Sequence, residues 1–295
     1  TKYSASVKKP LRIYADDFDA NGTLDVVEAK QVGDAMLPVR GLSCSSQAMP
    51  FVRERFPTYD AFARANLDEI YGRDGLAGSL ELSCTELQHV VLRNDGDAFV
   101  VLPLPRFAQI APVFGITITD FDGDGRADLA LAQNFFSPEP ETGRFDGGLG
   151  LVLRGRGDCT FEVVEPARSG FVVAGDAKAL ALADLDGDGT AELVVGTNDG
   201  PVRTFVQAAH DGLAIALVGP AGNPNAVGAV VELLRPDGRR EWRTIAAGGG
   251  YLTQQEPVAF FRAVPNGSSL RVLWPDGQAT EHTLPTPRGR VRLQR

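Results

Sequence analysis

Three short stretches of the chain place oxygen-bearing side chains at every second position. Each has an acid at positions one and three, an acid or asparagine at position five, glycine at position six and an acid at position nine. We name them loop one (residues 17–25), loop two (120–128) and loop three (184–192). In that order, the residues at positions one, three, five, seven and nine are Asp17, Asp19, Asn21, Thr23 and Asp25; Asp120, Asp122, Asp124, Arg126 and Asp128; Asp184, Asp186, Asp188, Thr190 and Glu192.

This spacing favours calcium over other metals. Alternate oxygens on a tight turn converge on one centre, the glycine permits the reversal, and position seven offers a backbone carbonyl. Several hard oxygen ligands suit Ca²⁺ better than Mg²⁺, which keeps more of its water, or zinc, which prefers histidine and cysteine. The pattern therefore predicts about three structural calcium ions. An acidic Asp-Gly turn that holds no metal is the alternative.

The loops differ from EF-hands. Counted from Asp120, the twelfth position is Leu131 where an EF-hand has glutamate. The flanking segments "FGITIT" and "DLALA" alternate or run apolar as strands do, whereas an EF-hand requires a helix on each side. Each loop is therefore expected to join the first two strands of a small antiparallel sheet.

The interval between loops one and two is longer than that between loops two and three. Residues 41–80 account for the difference and predict a helical insertion, with Thr58 as an N-cap. After the insertion, "HVVLRNDGDAFVVLPLP" predicts a hairpin that turns at residues 94–96, which are Asn-Asp-Gly. The chain is thus expected to contain three sheets of similar design, one of them interrupted by helices.

Composition favours an all-β protein outside the cytoplasm. The 295 residues include 33 Gly and 19 Pro, many for a helical protein, and 43% are hydrophobic. The net charge is -9, but 11 of the 38 acids lie in the loops (three, four and four), so the acidity is local. The tail "PRGRVRLQR" predicts a solvated strand and no nucleic-acid partner. No stretch reaches the roughly 20 apolar residues of a membrane span.

The three cysteines, Cys44, Cys84 and Cys159, lack the spacing of a metal site. In an oxidising compartment one disulfide and one thiol are expected, and Cys44 with Cys84 is the favoured pair because both border the insertion. Three buried thiols are the alternative.

Residues 213–295 form a separate β unit. Six apolar or alternating segments predict strands, and the Asp-Gly and Asn-Gly pairs at 237–238, 266–267 and 276–277 predict turns. A small sandwich or barrel follows from this pattern. The three glycines of "GGGYLTQQ" permit either a bend between sheets or a close approach to a ligand, and the sequence leaves both open.

The acidic loops between short strands resemble FG-GAP/VCBS repeats, the blades of integrin-like β-propellers. "GNPNAVGAVVELL" (222–234), "GGGYLTQQEP" (248–257) and "LRVLWPDG" (270–277) resemble the ASPIC/UnbV domain that follows the propeller in cartilage acidic protein-like proteins. The resemblance implies structural Ca²⁺ in the loops. The chain departs from the family pattern at "AFFRAV" (259–264), where a Phe-Gly-Leu-Gly turn is usual.

The expected protein is all-β, with a partial β-propeller of about three blades in residues 1–212 and an ASPIC/UnbV-like sandwich or barrel in 213–295. Its expected function is calcium-stabilised binding or scaffolding, with a protein or glycan partner in an extracellular assembly and no catalysis. The alternative is a secreted hydrolase or lyase with an axial active site. Propellers close with about four to eight blades, so upstream sequence or another chain is expected to complete the arc. A secreted, cell-surface or periplasmic location is expected.

Overall fold

Antiparallel sheets dominate the protein, as the composition predicts. The computed structural model describes residues 3–139, 142–208 and 211–295. The chain divides into two compact units, Thr1–Gln88 and His89–Arg295. Within the described ranges, none of the helices has the length and apolar character needed to cross a membrane.

The first unit is a four-stranded antiparallel sheet with five short helices. The strands pair in the order β3-β2-β1-β4. Tyr14 and Val27 of the sheet join the helical residues Val52 and Ile70 in one apolar core. The elements are β1 (Leu11–Asp16), β2 (Asp25–Val32), β3 (Ala35–Pro38), α1 (Leu42–Ala48), α2 (Phe51–Arg55), α3 (Tyr59–Arg64), α4 (Leu67–Tyr71), α5 (Arg73–Gly78) and β4 (Leu80–Cys84).

Local sequence signals determine where the helices of the insertion begin. The Thr58 hydroxyl accepts a hydrogen bond from the Ala61 N–H at 3.2 Å, which confirms the predicted N-cap of α3. Asn66 and Glu69 form a reciprocal capping box at α4. Each helix has only five to seven residues, so its stability must come from packing on the sheet more than from helix propensity. The helices predicted within residues 41–80 are therefore confirmed, and their role as an insertion in a propeller stays a prediction.

Two sheets of the second unit carry loops two and three. They follow a hairpin of β5 (Val90–Asn94) and β6 (Phe99–Pro103), in which the Gly96 N–H donates to Asn94 Oδ1 at 2.9 Å as the predicted turn requires. The strand orders are β10-β9-β8-β7 and β11-β12-β13. Their bounds are β7 (Val113–Thr119), β8 (Asp128–Gln133), β9 (Leu151–Gly155), β10 (Phe161–Val164), β11 (Asp176–Ala183), β12 (Glu192–Asn198) and β13 (Arg203–Phe205), with a 3₁₀ turn at Arg106–Gln109 and α6 at Pro166–Ser169.

The first strands of these two sheets lie side by side because a glycine allows it. A Cβ placed on Gly115 in β7 would lie 2.7 Å from the Leu180 Cβ and 2.9 Å from the Leu180 backbone nitrogen in β11. No side chain fits at that distance, so glycine is required for this approach. β7 and β11 thus form a common seam between the sheets that hold loops two and three.

The C-terminal part of the second unit is a two-sheet sandwich, one of the two predicted forms. One sheet has the order β17-β14-β20, in which β14 and β20 run parallel, and the other has the order β16-β15-β18-β19. Leu213, Val231, Phe261 and Leu270 belong to the apolar core between them. The strands are β14 (Gly212–Val218), β15 (Val230–Leu234), β16 (Arg240–Thr244), β17 (Val258–Arg262), β18 (Ser269–Leu273), β19 (Ala279–Thr283) and β20 (Gly289–Gln294).

Strands β17 and β14 of the β17-β14-β20 sheet are buried on both faces. In β17, Phe261 belongs to the core of the sandwich, whereas its neighbour Phe260 belongs to the core that includes β11 and β12. In β14, Ile215 and Ala214 divide in the same way. Successive side chains of a strand point to opposite faces, so this middle layer joins the sandwich to the sheet of loop three. The predicted boundary after residue 212 lies within this unit and stays a prediction.

The favoured Cys44–Cys84 disulfide is wrong for this structure. All three cysteines, which lie in the described ranges, are present as thiols. The Sγ of Cys84 lies 3.1 Å from the Glu86 carbonyl oxygen, at the exposed end of β4. Bordering the same insertion in sequence therefore does not bring the two sulfurs together. The alternative of buried thiols is also inexact, because Cys84 is exposed and the other two are half-buried.

Candidate metal centres

Each of the three loops gathers three carboxylates that could hold one metal ion. In every case they are the acids at positions one, three and nine, with one oxygen of each within 4.8 Å of the others. The clusters are Asp17, Asp19 and Asp25; Asp120, Asp122 and Asp128; Asp184, Asp186 and Glu192. Nine of the fifteen predicted site residues are thus brought together as three equivalent groups.

Strand pairing fixes the position-nine acid in the same way in all three loops. It is the first residue of the second strand and pairs with the last residue of the first strand: Asp25 with Asp16, Asp128 with Thr119, and Glu192 with Ala183. Each position-nine carboxylate also accepts the N–H of position two, from Phe18 at 3.2 Å, Phe121 at 2.8 Å and Leu185 at 2.8 Å. The three turns therefore share one geometry, and it holds the carboxylates in the fixed positions that a cation site needs.

Backbone N–H groups hold the position-one acid. Asp120 accepts from Gly123 at 2.7 Å through Oδ1 and from Gly125 at 2.8 Å through Oδ2. In loop three, the Oδ1 atom of Asp184 accepts from both Gly187 at 3.0 Å and Gly189 at 3.2 Å. The position-six glycine has a positive φ in every loop, between 80° and 89°, which explains the preference for glycine there.

Loop one differs at position four, where it has Ala20 in place of glycine. Ala20 adopts a φ of 56°, a left-handed conformation that is unfavourable for a residue with a Cβ. Asp17 accepts from the N–H groups of Asn21 at 2.9 Å and Gly22 at 2.8 Å, so its carboxylate is still held by the backbone. The loop therefore reaches the same arrangement of acids with more backbone strain.

Positions five and seven contact each other. Asn21 Oδ1 accepts the Thr23 N–H at 2.8 Å, and the same bond joins Asp124 to Arg126 at 2.9 Å and Asp188 to Thr190 at 2.7 Å. These side chains stabilise the turn, and the three-acid clusters do not include them. Their predicted role as metal ligands, through side chain or carbonyl, stays a prediction.

Four of the clustered acids have raised pKa values, and burial is the largest cause in each case. Burial raises the pKa of Asp128 from its usual 3.8 to about 6, although N–H groups of Gly155 and Phe121 oppose the shift, and the charges of Asp122 and Asp120 raise it further. Burial is also the main cause of the raised pKa values of Asp120, Asp25 and Glu192. Such groups repel one another when ionised, so a divalent cation between them would be stabilising.

The donor set of each cluster fits a calcium ion. Each cluster offers carboxylate oxygens as ligands. In loop two, Asp120 and Asp128 supply two of them, and their relative exposures are 0% and 1%. Buried charges of this kind need a counter-charge, and hard oxygen ligands are those that Ca²⁺ prefers. When bound, the ion would offset two of the three negative charges of the cluster and lock the turn between the two strands.

In the part of the chain that the structure describes, two arginines contact the clusters, and the sequence gives no local signal for either. Arg154, in β9, lies 2.6 Å from Asp122 Oδ2 and 2.9 Å from Asp124 Oδ2. Arg290, in β20, lies 3.2 Å from Asp184 Oδ2. In loop one, by contrast, no lysine or arginine of the described ranges forms an ion pair with the three clustered acids. The loops therefore differ in their cationic neighbours although their motifs match.

Lys178 is the only lysine that the sequence places in the second unit, and it is buried and paired. Lys178 Nζ donates to Asn134 O at 2.7 Å, pairs with Asp176 at 2.5 Å and lies 3.8 Å from the Phe114 ring centroid. Tyr251 of the "GGGYLTQQ" segment packs edge-on against Phe114, with centroids 5.1 Å apart. An amine held by a carboxylate, a carbonyl and an aromatic face is paired and fixed in position.

Comparison with known proteins supports the resemblance of the C-terminal part. Residues 219–295 match the family described as "ASPIC and UnbV". The chain is 26% identical over 186 residues to Cartilage acidic protein 1 of Homo sapiens, covering 61% of this chain and 27% of that protein. The Mus musculus protein of the same name is 25% identical over 186 residues, covering 61% and 28%. The chain carries an ASPIC/UnbV domain at its C-terminus and is distantly similar to these proteins, of whose length it spans about a quarter.

Proposed function

We propose that this chain is a calcium-stabilised binding or scaffold segment of an extracellular protein, with no catalysis of its own. The observation that carries the proposal is the repetition of one three-acid cluster, with one strand register and one position-nine hydrogen bond, in three sheets. Three metal-locked turns stiffen sheets without creating a reactive centre. Such a design suits a rigid surface on which partners assemble.

The sheets that carry the loops are proposed to be propeller blades. Each loop joins the first two strands of a blade, and β7 and β11, the first strands of two blades, lie side by side at Gly115. On β7, Ile116 and Ile118 are 43% and 61% exposed, which leaves apolar surface for further packing. Further blades from upstream sequence or another chain would cover such surface and complete the arc.

An extracellular assembly is proposed as the setting. The curated relatives share the name Cartilage acidic protein 1, which describes a tissue and a composition and names no reaction. A secreted, cell-surface or periplasmic location agrees with calcium concentrations high enough to fill modest sites. The proposed partner is a protein or a glycan bound on the rigid surface of the sheets, and no nucleic-acid partner is proposed.

Calorimetry with calcium and with chelator tests the proposal. A ligand that binds only the folded chain stabilises it by about 2.7 kcal/mol at a hundredfold excess over the dissociation constant. We expect calcium to raise the melting temperature relative to chelator, and magnesium at the same concentration to raise it less. Asp122→Asn should reduce the calcium effect, because it removes one carboxylate from the loop two cluster.

Asp95→Asn is the matched control. Asp95 is an acid in an Asp-Gly turn that pairs with Arg93 at 2.7 Å and belongs to none of the three clusters. Its substitution should leave the calcium effect unchanged. The proposal fails if the wild-type chain melts at the same temperature in calcium and in chelator, or if Asp95→Asn and Asp122→Asn reduce the calcium effect equally.

A further inference from the structure

The C-terminal sandwich places one arginine directly on the carboxylate of loop three. Arg290 Nη1 lies 3.2 Å from Asp184 Oδ2. Its second guanidinium nitrogen contacts Glu256, which is the acid of "GGGYLTQQEP". Glu256 Oε2 in turn accepts the Asp184 N–H at 2.9 Å. Arg290 therefore bridges a loop acid and a sandwich acid that are themselves joined through the backbone.

The oxygen that Arg290 contacts is the one that the loop leaves available. Asp184 uses Oδ1 for the N–H groups of both Gly187 and Gly189, so Oδ2 has no backbone donor among the described hydrogen bonds. The side chain of Asp184 is 0% exposed, which means that water does not screen its charge. A cation bound by the cluster would approach this oxygen, where the guanidinium already lies.

Backbone packing holds Arg290 in place. β20 pairs in parallel with β14, with Arg290 opposite Ala214. A Cβ on Gly189 of loop three would lie only 2.4 Å from the carbonyl oxygen of Gly289, the residue before Arg290. The loop and the start of β20 thus touch through their main chains. Only a rotation of the Arg290 side chain can therefore move its guanidinium away from the loop.

We propose that Arg290 is a built-in competitor of calcium in loop three. A divalent cation at Asp184 Oδ2 requires the guanidinium to turn away from Asp184 towards Glu256, and the cost of that step lowers the affinity of the loop for calcium. The C-terminal sandwich, which supplies both Arg290 and Glu256, therefore tunes a metal site in a neighbouring sheet. This inference rests on the proposed calcium function.

Loop two shows why the geometry of Arg290 matters. Its arginine, Arg154, lies on Asp122 and Asp124, and both oxygens of the position-one Asp120 accept backbone N–H groups. Arg154 comes from the same sheet as the loop, and its partners are 39% and 22% exposed. A guanidinium on a fully buried acid is a stronger competitor than one on acids that water screens.

Isothermal titration with CaCl₂ tests the inference in full-length chains whose other two loops carry Asp19→Asn and Asp122→Asn. In that background, Arg290→Gln should bind calcium about tenfold more tightly than the chain with Arg290, because the substitution removes a positive charge that repels the ion. Arg290→Lys keeps the charge and should stay within about threefold of Arg290. Arg292→Gln is the matched control, since Arg292 lies two positions along β20 and has no ion pair in the described chain.

Melting in chelator separates competition from a structural role. Without calcium, Arg290→Gln should melt below Arg292→Gln, since Asp184 and Glu256 lose their shared cation; with saturating calcium the difference should vanish or reverse. A structural role alone would lower stability in both conditions and would not tighten calcium binding. If the background variant does not fold, the same pair of melting shifts in the otherwise native chain decides the question.

The two ideas can fail separately. If no chain, including the wild type, takes up calcium, the calcium function itself is rejected. If the wild type binds calcium but Arg290→Gln and Arg292→Gln bind with the same affinity, or Arg290→Gln binds more weakly, the competitor role of Arg290 is rejected and the calcium function stands.

Discussion

Loops two and three have nearly the same motif and the same strand register, yet their carboxylates pair with arginines from different parts of the molecule. The carboxylates of loop two pair with Arg154 from their own sheet, and the sandwich contacts that loop at two carbonyl oxygens, those of Phe121 and Asp124. Loop three instead pairs its buried Asp184 with Arg290 of the sandwich. One turn design therefore takes the arginine beside its carboxylates from its own sheet in loop two and from the sandwich in loop three.

The difference teaches that the nine-residue pattern fixes the shape of the turn but not its electrostatic setting. The turn is built by short-range bonds, such as those from Gly123 and Gly187 to the position-one acids. The arginines come from β9 and β20, which lie outside the nine-residue pattern. Substitutions in the two loops should consequently differ most where the sandwich is involved.

The largest expected effect comes from the position-six glycines. Gly189→Ala forces a Cβ to 2.4 Å from the Gly289 carbonyl, whereas Gly125→Ala meets the flexible end of Arg239 at 2.8 Å. Both positions have positive φ, which costs about 1 kcal/mol for alanine, and the backbone clash adds about 1–3 kcal/mol at Gly189. Urea unfolding should show the greater loss for Gly189→Ala.

Gly22→Ala serves as the control for strain alone, because its Cβ would have no neighbour within 4 Å. The expected order of destabilisation is Gly189→Ala, then Gly125→Ala, then Gly22→Ala. Equal losses at all three positions would mean that contact with the start of β20 does not distinguish loop three.

Local pattern predicted the parts of the protein that short-range bonds determine. The Thr58 cap, the Asn-Asp-Gly hairpin and the three loops each depend on residues within about ten positions of one another. A short segment of sequence therefore contains all the residues that determine each feature. The helical insertion was predicted as a region, but its division into five short helices depends on packing against β1 and β2.

Contacts between residues far apart in the sequence could not be predicted from local patterns. Arg290 and Asp184 are 106 positions apart, and the parallel pairing of β20 with β14 helps to bring them together. The disulfide prediction failed for a related reason, because closeness to one insertion in sequence does not fix the direction of two side chains. The role of "GGGYLTQQEP" became visible only when Tyr251 was placed on Phe114 and Glu256 on loop three.

A second prediction concerns pH. A raised carboxyl pKa means that the folded calcium-free chain binds the proton more tightly than the unfolded chain. For Asp128 this penalty to stability is full above about pH 6 and disappears as the pH falls towards 3.8. Calcium must displace that proton, so with about 10% of Asp128 ionised at pH 5 the affinity of loop two should be about tenfold lower than at pH 7.5.

Titration calorimetry at the two pH values checks this in chains with a single intact loop. Asp19→Asn with Asp186→Asn leaves loop two, and Asp19→Asn with Asp122→Asn leaves loop three. Burial also raises the pKa of Glu192, so loop three should weaken in the same direction. Affinities in loop two that are the same at pH 5 and pH 7.5 would contradict the assignment of Asp128 as a ligand.

The smallest expected effect belongs to Arg154, and it separates the two arginines. Arg154→Gln removes a positive charge from beside Asp122 and Asp124, but the arginine is 50% exposed, so water and salt already screen it. Calcium should bind loop two about threefold more tightly in this variant, and the gain should shrink as NaCl is raised from 50 to about 500 mM, where the Debye length falls to a few ångströms. Arg156→Gln, which breaks only an exposed pair with Glu162, should change nothing. If Arg154→Gln instead matched the roughly tenfold gain expected for Arg290→Gln, the burial of Asp184 would not be what makes loop three different.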